Sequence, residues 1–135
     1  MAGPIDLKIV TAEKQLLSEK VDEVRAPGGE GYFGVRPGHI PFLTQMEPGE
    51  LWFRSGGTTQ SFAVSEGFIE VSANRVTVLA ESAEPAANID VERARKALAD
   101  AQGKMKGVNT NEPEYKLEAA RAKRASARIA VAGRR

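Results

Sequence analysis

Apolar and polar residues alternate near the start of the chain. Ile5, Leu7 and Ile9 are separated by Asp6 and Lys8, a period of two that predicts a half-buried strand. Val76, Val78 and Ala80 repeat the spacing with Thr77 and Leu79 between them, a run apolar on both sides. Short apolar segments lie between, at Leu51-Trp52-Phe53, Phe62-Ala63-Val64 and Phe68-Ile69-Glu70-Val71. Ser55-Gly56-Gly57 and Ala73-Asn74-Arg75 read as hairpin turns that separate them. Many short strands at this spacing predict an antiparallel β-sandwich or barrel. All five Phe and the single Trp precede residue 70, so the aromatic core is expected in this part.

The period changes after Glu84-Pro85-Ala86-Ala87-Asn88. Val91, Ala94, Leu98, Ala101 and Met105 recur in steps of three and four, an apolar stripe on a helix. Asn88 reads as its N-cap, and Asp90 and Glu92 in the first turn suit the helix dipole. Gly103 and Gly107 weaken its far end, and Gly107-Val108-Asn109-Thr110 reads as a loop. Asn111-Glu112-Pro113-Glu114 then signals a second helix, with Asn111 as cap, running to about Ala132 and ended by Gly133. Two helices and a short loop make an αα-hairpin. Its stripes are mostly alanine, so little area is buried and the hairpin is expected to be able to open. The expected division is a sandwich over residues 1–87 and a two-helix antiparallel hairpin over residues 88–135.

Charge follows the same division. Up to Asn88 the chain has 7 basic and 12 acidic residues (net −5), and from Ile89 onward 12 basic and 6 acidic (net +6), giving the overall +1. Such a split points to two modules with different partners. Tyr115 is the only aromatic of the basic half, which argues against base stacking on single strands, so no nucleic-acid partner is expected. The absence of cysteine removes disulfides and thiol chemistry, and the single His39 leaves no histidine cluster for a metal. No run of about 18 apolar residues exists to span a bilayer, and Met1-Ala2-Gly3-Pro4 does not read as a secretory leader.

The densest punctuation runs from Gly31 to Thr44, Gly-Tyr-Phe-Gly-Val-Arg-Pro-Gly-His-Ile-Pro-Phe-Leu-Thr, followed by Glu47-Pro48-Gly49-Glu50-Leu51. Glycines and prolines every few residues require tight turns between short strands. The stretch resembles the signature G-x-[FL]-G-[VI]-x-P-G-H-x-P-[FL]-[LT]-T of the epsilon subunit of bacterial F-type ATP synthases. The segments Val64-Ser65-Glu66-Gly67-Phe68-Ile69-Glu70-Val71 and Asn74-Arg75-Val76-Thr77-Val78-Leu79-Ala80-Glu81 resemble that family's next two strands, in the same order.

The resemblance implies a non-catalytic central-stalk subunit that couples c-ring rotation to ATP synthesis in a proton-translocating enzyme. It implies a sandwich that holds the gamma subunit and the c-ring, and a hairpin that inhibits hydrolysis by reaching the catalytic alpha/beta subunits. The loop Glu30-Gly31-Tyr32-Phe33 and the turn around His39 are implied to face the ring. Some members carry an acidic residue where Tyr32 stands, which implies a less electrostatic ring contact here. Contact with the membrane would be indirect, through the c-ring, at the cytoplasmic face of the bacterial inner membrane.

Two segments resemble the family's nucleotide motifs. Ile89-Asp90-Val91-Glu92-Arg93-Ala94 matches I/L-D-x-x-R-A, and Lys123-Arg124-Ala125-Ser126-Ala127-Arg128 matches K-R-A-x-x-R. Arg124 and Arg128 share a helix face, and a folded hairpin would bring them to Arg93, where three guanidinium forks suit phosphate oxygens. Asp90 could accept from an adenine amino group or a ribose. The implied regulatory ligand is ATP, held by Ile89, Asp90, Arg93, Ala94, Arg124 and Arg128, with no cofactor required. The plainer alternative is an ordinary helix start and a solvated basic face, or one aimed at an acidic partner. No G-x-x-x-x-G-K-[ST] loop is present, so bound ATP would be a signal and not a substrate. For His39 the plain reading is a ring hydrogen-bonded to the turn backbone. A free-standing nucleotide switch is a second class of function; an enzyme lacks a recognisable nucleophile–base pair or metal set.

Overall fold

The computed structural model describes residues 3–134. Met1, Ala2 and Arg135 lie outside the described residues, and with them half of the Met1–Pro4 stretch and one charge of the basic half. Ten strands come first: β1 (Ile5–Val10), β2 (Gln15–Val21), β3 (Glu23–Gly28), β4 (Gly31–Val35), β5 (Phe42–Met46), β6 (Gly49–Ser55), β7 (Thr58–Val64), β8 (Gly67–Ser72), β9 (Arg75–Ala80) and β10 (Ala83–Pro85). One 3₁₀ turn (Ala86–Asn88) leads to α1 (Val91–Met105) and α2 (Pro113–Ala132).

The strands follow the order β10-β7-β6-β3-β5-β8-β9-β1-β2, with β4 on β3. All pairings are antiparallel except β1 on β9, where Asp6–Val10 lie beside Arg75–Leu79. A single residue pair, Gly28–Met46, joins β3 to β5, and there the sheet turns into a second layer. Ile5, Leu7 and Ile9 from one layer and Val24, Leu51 and Phe53 from the other are fully buried in one core. The expected sandwich is therefore present.

Two hairpin turns form where the glycine and asparagine signals lie. Gly56 and Gly57 (φ 57° and 88°) join β6 to β7, and Ala73 and Asn74 (φ 46° and 61°) join β8 to β9. Two consecutive positive φ values match the twist of paired strands, which is why Gly and Asn suit these positions.

Three expectations need correction. The core is mainly aliphatic: Phe53 and Phe62 are inside it, whereas Phe42 and Phe68 are exposed and Phe33 only packs against its edge. Leu79, read as part of a run apolar on both sides, points outward and is half exposed. Both helices also start later than the cap signals suggest. Asp90, not Asn88, caps α1, its Oδ1 accepting from the Arg93 backbone N–H at 3.0 Å. Burial of Ile89 keeps the chain extended until that residue is seated. Glu112, not Asn111, precedes α2, because the residue before Pro113 is driven to extended backbone (φ −73°, ψ 141°).

The hairpin stripe is as read. Ala94 and Ala101 of α1 are buried, with Val91, Leu98 and Met105 partly so, and α1 packs against α2, whose Ala125 is also buried. α2 also lies on β6 and β7, where Val131 and Ala132 pack with Ala63 and Ile89 in a small second cluster.

Candidate functional site

The two helices and the end of the sandwich enclose a cleft of about 450 Å³, lined by Glu84, Asp90, Arg93, Ala94, Ala97, Arg121, Arg124 and Arg128. Its size is in the range of small-molecule sites. Five of the six residues singled out for ATP, Asp90, Arg93, Ala94, Arg124 and Arg128, thus meet in one cleft. Ile89 does not line it; it is buried beneath α2, with Val131 and Ala63. Glu84, Ala97 and Arg121 also line the cleft, and the motifs did not single them out. Glu84 sits on a three-residue strand that has no periodic signal. Ala97 and Arg121 follow from helical spacing: they lie one turn from Ala94 and Arg124.

All but one of the charged groups in the cleft have a defined partner. One carboxylate oxygen of Asp90 is engaged as the helix cap. Arg128 Nε donates to Glu84 at 2.7 Å, and Arg124 Nη1 donates to Glu66 at 2.9 Å. Both pairs run from α2 to the sandwich. Arg121 Nη1 donates to Asp100 at 2.7 Å and to Glu118 at 3.0 Å, tying α2 to α1. The Arg121 hydrogen bond, reinforced by Lys104, holds the Asp100 carboxyl below its usual range, and Arg121 itself is pushed up by the same bond. Among the described residues Arg93 is the one lining arginine with no ion pair. Two more cross-module pairs are Lys123–Glu47 at 3.7 Å, on α2, and Arg134–Glu50 at 3.1 Å, just past its end.

The residues implied to face a ring fall into two places. Glu30 and Gly31 form the β3–β4 turn, with Gly31 at φ 118°. Tyr32 crosses the sheet beside them: its hydroxyl accepts from the Glu50 N–H at 3.0 Å. It also lies against Gly49, where a Cβ would stand 2.7 Å from that hydroxyl. Phe33 packs edge-on against Phe42, ring centroids 5.2 Å apart. His39 is joined to them through Phe42, whose ring centroid lies 6.2 Å from its own. It lies in the loop beyond the other end of β4, and its Nδ1–H donates to the Ile40 carbonyl at 2.7 Å, the turn-backbone contact of the plain reading. The loop is pinned by Gly38 N–H, which donates to Asn74 Oδ1 at 2.8 Å.

The outer face of the layer away from α2 is apolar in part. Phe68 and Leu79 are cross-strand partners, Leu79 pairs in turn with Val10, and exposed Leu43 lies on β5 next to β8. No helix among the described residues is long and apolar enough to cross a membrane. Nor do three acidic or histidine side chains among them gather as a metal would need.

A family model described as "ATP synthase, Delta/Epsilon chain, beta-sandwich domain" matches residues 4–86. A second, "ATP synthase, Delta/Epsilon chain, long alpha-helix domain", matches residues 87–133. The chain belongs to the ATP synthase delta/epsilon chain family. It is 52% identical over 130 residues to the ATP synthase epsilon chain of Anaeromyxobacter sp. (strain K), covering 96% of this chain and 98% of that one. The epsilon chain of Myxococcus xanthus (strain DK1622) is 48% identical over 128 residues, 95% of this chain and 94% of that one.

Chains of solved ATP synthase assemblies share the fold. A chain of the Euglena gracilis mitochondrial ATP synthase, in a structure of OSCP/F1/c-ring, superposes with a TM-score of 0.83 at 26% identity, over 96% of this chain and 82% of that one. A chain of the Tetrahymena thermophila central stalk and c-ring does so with a TM-score of 0.60 at 16% identity, a likeness of fold. The family resemblance read from the motifs is thereby shown, and with it the nature of the chain as a non-catalytic subunit of ATP synthase.

Proposed function

We propose that the chain is a rotor subunit of a proton-translocating F-type ATP synthase, with its sandwich joining the gamma shaft to the c-ring. Its hairpin restrains hydrolysis, either folded on the sandwich or extended toward the alpha and beta subunits. ATP is a regulatory ligand of the cleft. The subunit works at the cytoplasmic face of the bacterial inner membrane, held there by its protein partners.

The observation that carries this reading is a division of surfaces. The layer under α2 is covered through ion pairs and alanines, which a competing partner can replace. The opposite layer leaves Phe68, Leu79 and Leu43 in solvent, as expected of a face that a permanent partner covers. Gamma fits that face, and the Glu30–Phe33 tip with the His39 loop is the edge assigned to the ring. The convergence of residues from both helices on one cleft supports ATP binding, and it supports ATP favouring the folded hairpin, since a ligand shifts an equilibrium only through its differential affinity.

The full chain should co-purify with gamma. A fragment of residues 1–87, once its folding is verified by circular dichroism, should still bind gamma and should lose control over hydrolysis without abolishing coupling. A folded fragment that fails to bind gamma would overturn this division of labour. A full chain that binds ATP but never gamma would be the free-standing switch.

A further inference from the structure

Four arginines line the cleft, yet it is not a strongly positive site. Glu84 and Asp90 line it beside them, Asp100 and Glu118 hold Arg121, and Glu66 holds Arg124. Four positive charges thus face five negative ones. Glu66 differs from the other four. It comes from the tight connection before β8, outside the cleft lining, and reaches up to α2 with one oxygen only. Its other carboxylate oxygen, Oε1, is buried without a hydrogen-bond partner. A buried carboxylate oxygen with no donor of its own carries a desolvation cost that the Arg124 contact to the other oxygen offsets only in part. This pair is therefore poorly optimised for stability and can be given up.

We infer that Glu66 is an internal competitor of a nucleotide's phosphate groups for Arg124, setting the affinity of the cleft from outside it. This rests on the reading of the cleft as an ATP site. A triphosphate placed among Arg93, Arg124 and Arg128 must either draw Arg124 away from Glu66 or sit with that carboxylate nearby. Both routes weaken binding of the anion and leave the adenosine moiety unaffected. Neutralising Glu66 removes the competitor and frees Arg124 while replacing no group that would contact ATP, so the affinity rises.

The test is titration calorimetry on the isolated full chain at low and at physiological ionic strength, with ATP and with adenosine. The variants are Glu66→Gln and, as a control, Glu70→Gln, an exposed carboxylate on β8 four residues further on. Gln keeps the shape of Glu66, and circular dichroism melts verify that both variants fold. The expected result is ATP binding about tenfold tighter for Glu66→Gln at low salt, the size of one carboxylate's repulsion of a multiply charged phosphate chain across several ångströms. The gain should shrink as salt screens it. Adenosine binding and the Glu70→Gln variant should match the parent. Equal or weaker ATP binding by Glu66→Gln, with the parent binding, overturns the role of Glu66 alone. No binding by parent or variant at millimolar ATP overturns the nucleotide reading itself.

Discussion

At the scale of single residues, the arginines of α2 separate by what they touch. Arg124 and Arg128 line the cleft, whereas Arg134 lies past the helix end and grips Glu50 through two nitrogens, at 3.1 and 3.3 Å. A charge-assisted hydrogen bond is worth roughly 1.5–3 kcal/mol, a tenfold change or more in affinity. Arg124→Ala and Arg128→Ala should therefore each weaken ATP binding at least about tenfold. Arg134→Ala should leave ATP affinity unchanged. Calorimetry on the three variants checks this order, and equal affinities would make the arginines a protein-docking face only. Asp100 gives a pH expectation with a definite sign. Its carboxyl is held low by Arg121 and Lys104, so the contact stabilises the folded pair above the ordinary carboxylate range and is lost only as pH falls through the lowered value. Contact between the helices, followed by a distance probe across Asp100 and Arg121, should be flat from pH 8 to about 5 and weaken below about 4. Loss between pH 7 and 6 would contradict the assignment.

At the scale of elements, the hairpin is held to the sandwich by a very small apolar cluster: Ile89, Val131, Ala132 and Ala63. Truncating a buried isoleucine costs about 2–5 kcal/mol, a large share of what so few contacts can supply. Ile89→Ala should undock α2 while the sandwich keeps its own core, so amide exchange should accelerate in α2 and not in β1, β8 or β9. Uniform acceleration across both modules would show that the cluster supports the whole fold. Ile89 also marks the limit of what the sequence conveys. Its place in a nucleotide-like motif was legible, and the reason for its size, a seat under α2, was not. Strands with clean alternation, β1 and β9, were legible in the same way. β2 and β3 were not, since Gln15–Val21 buries only its last residue fully and Glu23–Gly28 carries Pro27. The convergence of Asp90, Arg93, Arg124 and Arg128 followed from the resemblance to the family's two motifs, joined to helix spacing and a folded hairpin. Their partners Glu66 and Glu84 could not, because they come from the sandwich through contacts 58 and 44 residues distant in the chain.

At the scale of the whole molecule, the charge split is resolved inside the chain as well as outside it. Lys123, Arg124, Arg128 and Arg134 each meet a glutamate of the sandwich, so the two halves with opposite net charge are one another's first partners. The same molecule contains one topological demand of a different kind. β1 lies between β2 and β9, and its parallel register ties Asp6 to Arg75 and Val10 to Leu79, a separation of 69 residues (75 − 6). On a ribosome the first strand made is thus among the last to be completed: it can pair early with β2, but its other edge stays open until β9 has emerged. Closing so long a loop is slow compared with forming the local contacts of a helical hairpin. In refolding from denaturant, far-ultraviolet signal from α1 and α2 should return before protection of the β1 amides. A nascent chain arrested with residue 72 just outside the exit tunnel should remain open to protease along β1, whereas one released past residue 87 should not.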